Sequence, residues 1–139
     1  MTRIRLSIPK NIHFTTQLSL RIYDLNYGAH MGNDSVLSIV HEARVRFLNY
    51  IDQKESDFYG FSLLMADSAV VYKKEAFYGE KLKIDITVTE YYKFGFELFY
   101  LISNVATSEI ARVKTGLVCY DHSEKKMIRL PDEFLNKFK

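Results

Sequence analysis

One segment of the sequence, residues 33–52, places its apolar side chains with the period of an α-helix. At 100° per residue, its main apolar arc spans about 80° and contains Val36, Val40, Ala43, Phe47 and Ile51. Leu37 and Leu48 widen this arc. Ile39 and Val45 fall outside it. The pattern predicts a single amphipathic helix of about five turns.

Strand-like sequence surrounds this helix on both sides. In residues 81–89, apolar and polar side chains alternate strictly, as they do in a strand with one buried face. Similar runs occupy residues 14–23, 64–72, 81–92, 94–104 and 108–120. Short linkers between the last four runs indicate a meander. We therefore predict one α+β domain over residues 1–139, in which a long helix lies on an antiparallel sheet of five or six strands.

The composition excludes several classes of protein. A net charge of +2, spread evenly along the chain, gives no surface for neutralising many phosphates, so we expect no nucleic-acid partner. No run of eighteen apolar residues and no leader pattern occurs, so we expect no membrane span and a cytoplasmic location. The only cysteine, Cys119, lies in an apolar run and fits a buried, inert thiol in a reducing compartment.

One charged residue falls inside the apolar arc of the helix. Arg44 projects among the residues expected to be buried. A buried guanidinium needs an acidic partner, because an unpaired buried charge costs several kcal/mol. Asp24, just before the helix, is the candidate.

Residues 23–34, which read YDLNYGAHMGND, join the first strand to the helix and are dense in polar and flexible residues. Asn33, Asp34 or Ser35 can cap the helix N-terminus. The loop contains Asp24, Leu25, Asn26, then Gly28, His30 and Asn33, and the helix continues with HEARVRFL at residues 41–48.

These residues, in this order, resemble a known family. Strand, polar loop, long helix and meander resemble the hot-dog fold, and the loop and helix resemble the 4-hydroxybenzoyl-CoA thioesterase-like acyl-CoA thioesterases. Members show a strand ending in Asp-x-Asp, a Gly two residues later, and a helix with Glu-Ala-Arg. The segments YKKEAFYGEKLKIDITV and RLPDEF extend the similarity over residues 14–134.

The resemblance implies an acyl-CoA thioesterase that hydrolyses an acyl- or aryl-CoA to the free acid and CoA. Its partner is the thioester, CoA is part of the substrate, and no separate cofactor is implied. It also implies a homodimer joined edge to edge, with active sites at the interface and a dimer of dimers as a further step. Two alternatives stay open: a non-hydrolytic acyl-thioester-binding protein, and a carrier-protein thioesterase or dehydratase-like enzyme.

The catalytic residue is where this sequence departs from the family. The second Asp of the family motif corresponds to Asn26, and an amide is neither a general base nor a good nucleophile. Its amide can still hold a water or the thioester oxygen, with a loop-fixing role as the alternative. Glu42 on the helix is our first candidate to replace the base, with an ordinary i,i+4 contact to Arg46 as the alternative. Asp24 is the second acid, with a salt bridge or a hydrogen-bonded turn at the strand end as the alternative. His30 is a candidate to orient substrate or carry a proton.

Substrate-binding candidates surround these residues. The backbone N–H groups of Met31, Gly32 and Asn33, at the helix start, are expected to be unpaired and to stabilise an oxyanion. Gly28 and Gly32 permit close approach of a ligand or serve turn geometry alone. Lysines and an arginine are candidates for the CoA phosphates, namely Lys73, Lys74, Lys81 and Arg112. The aromatic residues that either line an acyl tunnel or belong to the core are Tyr59, Phe61, Tyr72, Phe77 and Tyr78. No His, Cys or acid spacing suggests a metal site.

Overall fold

The structure, a computed structural model, describes residues 1–106 and 108–139. Its elements in chain order are β1 (Phe14–Ser19), a 3-10 helix (Ile22–Asp24), α1 (Ser35–Tyr50), β2 (Ser62–Tyr72), β3 (Lys81–Tyr92), β4 (Gly95–Asn104), β5 (Glu109–Asp121), β6 (Lys126–Met127) and α2 (Asp132–Phe138).

Within the described residues, six strands form one antiparallel sheet. Its order is β1-β3-β4-β5-β2, and β6 pairs with the end of β5. A tight hairpin joins β3 to β4, where Tyr92 faces Gly95. The prediction of an α+β fold with one long helix on a five- or six-stranded antiparallel sheet is confirmed.

Helix α1 packs across β1 and β3 and buries most of the apolar arc that the sequence predicted. Two residues differ from that prediction. Ile39, expected outside the arc, is only 3% exposed, whereas Leu37, expected to widen it, is 43% exposed. The reason is that the helix lies toward the β1 side of the sheet, so its apolar contact extends to Ile39. Leu37 is left facing the opposite, β2 side.

The first strand ends at Ser19, four residues before its predicted end. The chain then turns through the 3-10 helix, whose start at Arg21 is held by the Asp24 carboxylate. The Arg21 N–H donates to Asp24 Oδ2 at 2.8 Å, and the Arg21 guanidinium lies 3.4 Å from the same oxygen. Alternation alone did not reveal this turn because Ile22 continues the apolar pattern while being exposed.

Arg44 is buried, as predicted, but its acidic partner is Glu55 and not Asp24. The Arg44 Nε donates to Glu55 Oε1 at 2.5 Å, and Nη1 donates to the Tyr100 hydroxyl at 3.3 Å. That hydroxyl lies 2.8 Å from Thr115 Oγ1. Asp24 is already engaged by Arg21 at the other end of the loop, so the expected Asp24–Arg44 pair is wrong.

Two short elements were not predicted from the sequence. Strand β6 has two residues, and α2 begins after Pro131, which is a favoured place for a helix to start. Phe134 of α2 is buried against Phe96, with ring centroids 4.4 Å apart. On β5, burial raises the pKa of the Cys119 thiol to about 12 and so disfavours the reactive thiolate.

Residues 1–13, named here the N-terminal arm, lie along the sheet face opposite α1. Thr87 Oγ1 donates to Asn11 O at 2.6 Å, and Arg112 Nη1 donates to Leu6 O at 2.6 Å. Thr87 and Arg112 both point away from the helix, because their strand neighbours Ile86 and Val113 are in the core under α1. The arm therefore covers part of the outer face of the sheet.

We expect Glu55→Gln to lower the free energy of unfolding at neutral pH by about 1–3 kcal/mol, because a buried guanidinium loses its charged acceptor. Burial by itself would raise the pKa of the Glu55 carboxyl, but the hydrogen bonds and charges of Arg44 and His41 outweigh it and hold that pKa below its usual 4.5. A carboxylate of this kind stabilises the fold above its usual pKa, and the contribution is lost as pH falls below it.

Urea unfolding of wild type and variant across acidic pH measures this. The difference between the two should shrink as pH is lowered through 4.5 and below. Glu124→Gln, which removes an exposed carboxylate after β5, is the matched control and should have little effect. A Glu55 effect that does not change with pH would contradict the pairing.

Candidate active site

Two loops meet at the N-terminal end of α1. The Met31 N–H donates to Ala76 O at 2.8 Å, and His30 forms an isolated β-bridge with Phe77. The Gly32 N–H donates to Asp24 O at 2.8 Å. The expectation that the Met31 and Gly32 amides are unpaired is therefore wrong, because the loop uses both to hold itself in place. For the Asn33 amide, the described part of the chain shows no such acceptor.

A cleft of about 600 Å³ opens between these loops. Most of the residues predicted from the sequence lie around it. The loop contributes Asn26, Gly28, His30, Met31 and Asn33, and the end of β2 with the segment after it contributes Tyr72 and Lys74. Phe77 stacks at a tilt against His30, with ring centroids 4.9 Å apart. The fold thus brings residues from two separate segments into one open site.

Asn26 fixes the shape of the loop through its side-chain oxygen. Oδ1 accepts the N–H of Gly28 at 2.9 Å and that of His30 at 3.3 Å. The turn places Ala29 at φ 64°, a left-handed conformation that is uncommon for a residue other than glycine. No described residue accepts from the Asn26 amide nitrogen, which therefore keeps its two N–H donors for a ligand.

His30 has an acidic neighbour that the sequence did not identify. Glu75 Oε2 lies 2.7 Å from His30 Nδ1, at an angle off the N–H axis. The Glu75 side chain is 68% exposed and that of His30 is 33% exposed. The pairing of His30 with Phe77 across the two loops brings Glu75 next to the His30 ring. The spacing of Glu75 and His30 along the chain does not predict this contact.

The two acids predicted as catalysts lie outside this cleft in the described chain. Asp24 is buried and bound by Arg21. Glu42 accepts from Arg46 at 2.8 Å, and Arg46 also donates to Thr16 on β1. Glu42 therefore stands on the β1 side of α1, opposite the β2 side. The structural alternatives hold for both residues, and a catalytic role for either stays a prediction.

The helix begins without the side-chain cap predicted for it. Asp34 occupies the N-cap position but makes no capping hydrogen bond with its side chain. Its Oδ1 instead lies over Gly32, where a Cβ would approach it to 2.5 Å, so a larger residue at this position would have to displace the Asp34 side chain. Across the cleft, the Tyr72 hydroxyl donates to Asn33 O at 3.1 Å and ties the end of β2 to the helix start.

A second opening, of about 280 Å³, follows the seam between α1 and β2. Leu37 and Met65 line it with exposed apolar surface, while Ser68, Thr115 and Arg44 supply polar groups. The cleft is bordered by the same helix and the same strand, through Val36 and Tyr72. Both openings therefore lie along the same helix and strand.

Comparison with known proteins identifies the family of this chain. A model of the thioesterase-like superfamily matches residues 20–138. The chain belongs to this superfamily. A search of curated proteins finds no match.

Several solved structures share the hot-dog fold of this superfamily. A 1,4-dihydroxy-2-naphthoyl-CoA thioesterase from Synechocystis has a TM-score of 0.81 and 22% identity, over 89% of this chain and 93% of its own. A DHNA-CoA thioesterase from Staphylococcus aureus has a TM-score of 0.77 and 23% identity, over 88% and 83%. The probable thioesterase YbaW from Escherichia coli has a TM-score of 0.76 and 21% identity, over 90% and 96%.

The other residues proposed for this thioesterase-like chain are dispersed. Lys73 lines the cleft together with Lys74, whereas Arg112 lies under the N-terminal arm and Lys81 lines neither opening. Tyr59 packs edge-on against the buried Phe58 and belongs with the core. The described residues contain no group of three His, Cys, Asp or Glu side chains able to hold a metal, and no helix long and apolar enough to cross a membrane.

A third opening, a cavity of about 450 Å³, lies on the outer face of the sheet around Gly95 and Gly116. One of its two cations, Lys114, is paired with Asp67 at 2.8 Å and lies 3.7 Å from Glu97. The other, Lys93, lies over the Phe94 ring, and no histidine lines the cavity. The cleft beside His30 is therefore the better candidate for chemistry.

Substitution of Asn26 tests its role in the loop. We expect Asn26→Ala to lower the free energy of unfolding by about 1 kcal/mol, because two backbone N–H groups lose their acceptor. Asn26→Asp keeps an acceptor oxygen in the same place and should stay within about 0.5 kcal/mol of wild type. Urea unfolding measures both, and equal losses in the two variants would contradict the role assigned to Oδ1.

Proposed function

We propose that this protein is a thioester hydrolase that converts an acyl-CoA to the free acid and CoA. The observation that carries the proposal is the His30–Glu75 pair, which stands beside the free amide of Asn26 in an open cleft. Membership of the thioesterase-like superfamily supports the reaction class. CoA enters as part of the substrate, and the reaction needs no further cofactor.

In this proposal His30 is the general base. Because Nδ1 faces Glu75, the neutral ring holds its proton there and leaves Nε2 to accept a proton from water. The resulting hydroxide attacks the thioester carbonyl carbon. The tetrahedral intermediate then collapses, the C–S bond breaks, and the imidazolium returns the proton to the leaving thiolate. The Glu75 carboxylate stabilises the imidazolium until His30 returns the proton.

The oxyanion of the intermediate requires hydrogen-bond donors, and two amide groups near His30 can supply them. One is the side-chain amide of Asn26, whose oxygen is held by the loop while its nitrogen is free. The other is the backbone N–H of Asn33 at the helix start. An amide at position 26 therefore fits an electrophilic role, whereas the family's carboxylate acts as base or nucleophile.

The surroundings of the cleft indicate where the acyl chain would lie and which edge of the sheet a second copy would cover. The acyl chain would lie along the seam lined by Leu37 and Met65. Strand β2 pairs only with β5 in the described chain, and its other edge is free. We propose that a second copy covers this edge in a homodimer and thereby encloses the seam. Two such dimers would then form a dimer of dimers.

A non-hydrolytic acyl-thioester-binding protein is the second candidate. It is favoured by Asn26 itself, because the amide can hold a thioester oxygen without accepting a proton. Such a protein would bind acyl-CoA in the same cleft and release no thiol. Turnover therefore separates the two functions.

We expect His30→Gln to reduce kcat for acyl-CoA hydrolysis by about 10²–10⁴-fold, because the general base is lost. Glu75→Gln should reduce it by on the order of tenfold, since the exposed carboxylate is screened by water. Thiol release from acyl-CoA esters of several chain lengths measures both effects. His122→Gln, which alters an exposed histidine after β5, is the matched control and should keep full activity.

Two results would contradict this assignment. Full turnover by the His30 variant, with turnover lost in Glu42→Gln, would return the catalytic role to the helix acid. Rates equal to buffer for the wild-type protein across the panel, with acyl-CoA still bound, would favour the binding protein.

A further inference from the structure

Basic side chains surround a cavity of about 460 Å³ between the N-terminal arm and the end of β2. Arg3 and Arg5 enter it from the arm, Lys73 from the end of β2, and Arg112 from β5. None of its lining residues is acidic. This cavity lies on the outer side of the sheet, where the arm crosses it.

The charges of this cavity are unbalanced. Arg112 is already paired with Glu109 at 2.8 Å and uses Nη1 to hold the arm through Leu6 O. Arg3, Arg5 and Lys73 have no ion-pair partner in the part of the chain that the structure describes. Arg112 thus positions the arm, and the other three cations are left for an anionic ligand.

Lys73 links this cavity to the cleft, because it lines both. A ligand that begins at His30 and passes over the end of β2 would reach the cations of the arm. It would need a thioester at one end and several phosphate charges at the other. Coenzyme A esters combine these features, whereas a carrier-protein thioester has a single phosphodiester near the protein surface.

We propose that Arg3 and Arg5 of the N-terminal arm, with Lys73, form the site that binds the 3′-phosphate and diphosphate groups of coenzyme A. The proposal rests on the proposed function for the thioester end alone. The superfamily model matches residues 20–138, so the arm lies outside the matched part of the chain. It selects coenzyme A esters over carrier-protein thioesters in this protein.

Direct binding tests the site without turnover. Isothermal titration calorimetry of the full-length protein with free coenzyme A and with adenosine 3′,5′-bisphosphate gives the two affinities. We expect the double variant Arg3→Ser/Arg5→Ser to bind both about tenfold more weakly, since two guanidinium–phosphate contacts are lost. Lys126→Ser/Arg129→Ser removes the same charge from exposed positions outside the cavity and should bind as wild type does.

Kinetics separate this site from the catalytic residues. For an acyl-CoA substrate, the double variant should raise KM about tenfold and leave kcat unchanged, as expected when binding remote from the reacting bond is lost. For the corresponding acyl-pantetheine, which lacks the nucleotide and the phosphates, wild type and double variant should have equal KM. The KM difference for acyl-CoA should also diminish as salt concentration rises.

The outcomes distinguish failure of this site from failure of the proposed function. Unchanged affinities in the double variant, or a wild-type preference for carrier-protein thioesters over acyl-CoA, would overturn the site. Turnover of acyl-pantetheine would still support hydrolysis in that case. Absence of turnover for every thioester, with the tenfold affinity difference retained, would overturn hydrolysis and support the anion site.

Discussion

The hydrogen bond from the Met31 N–H to Ala76 O joins the loop before α1 to the segment after β2, and the cleft exists because these segments meet. The adjoining bridge between His30 and Phe77 sets their register and so places Glu75 against the His30 ring. The bond to Ala76 O also occupies the Met31 N–H, so this donor at the helix start is not available to a ligand. The groups left for a ligand are therefore mainly side chains, and the amide of Asn26 gains importance from this.

A second constraint fixes the helix relative to the strand that borders the site. Arg44 is buried, and a buried guanidinium must be satisfied by charge and hydrogen bonds. Glu55, from the segment leading to β2, supplies the charge, while Tyr100 of β4 supplies a hydroxyl. The pair thus connects α1, the approach to β2 and the centre of the sheet. The Leu63 N–H of β2 donates to Glu55 O at 2.8 Å, so Glu55 links Arg44 of α1 to β2.

Sequence periodicity predicted most of the fold because it reports which face of an element is buried. The bounds of β3 are as predicted, and α1 begins and ends within two residues of its predicted limits. The partners of side chains could not be predicted, because they depend on which distant segments meet. The acid for Arg44 and the acid beside His30 both come from loops with no pattern of their own. Elements as short as β6 do not complete a readable pattern.

The claim that a thioester binds between the two loops is tested most directly by amide chemical-shift mapping with a non-hydrolysable S-alkyl thioether of coenzyme A. The largest shifts should fall in residues 26–33 and 72–75, followed by residues 3–7 of the arm. Shifts concentrated around Gly95 and Gly116, on the outer face of the sheet, with residues 26–33 unaffected, would contradict the placement of the site.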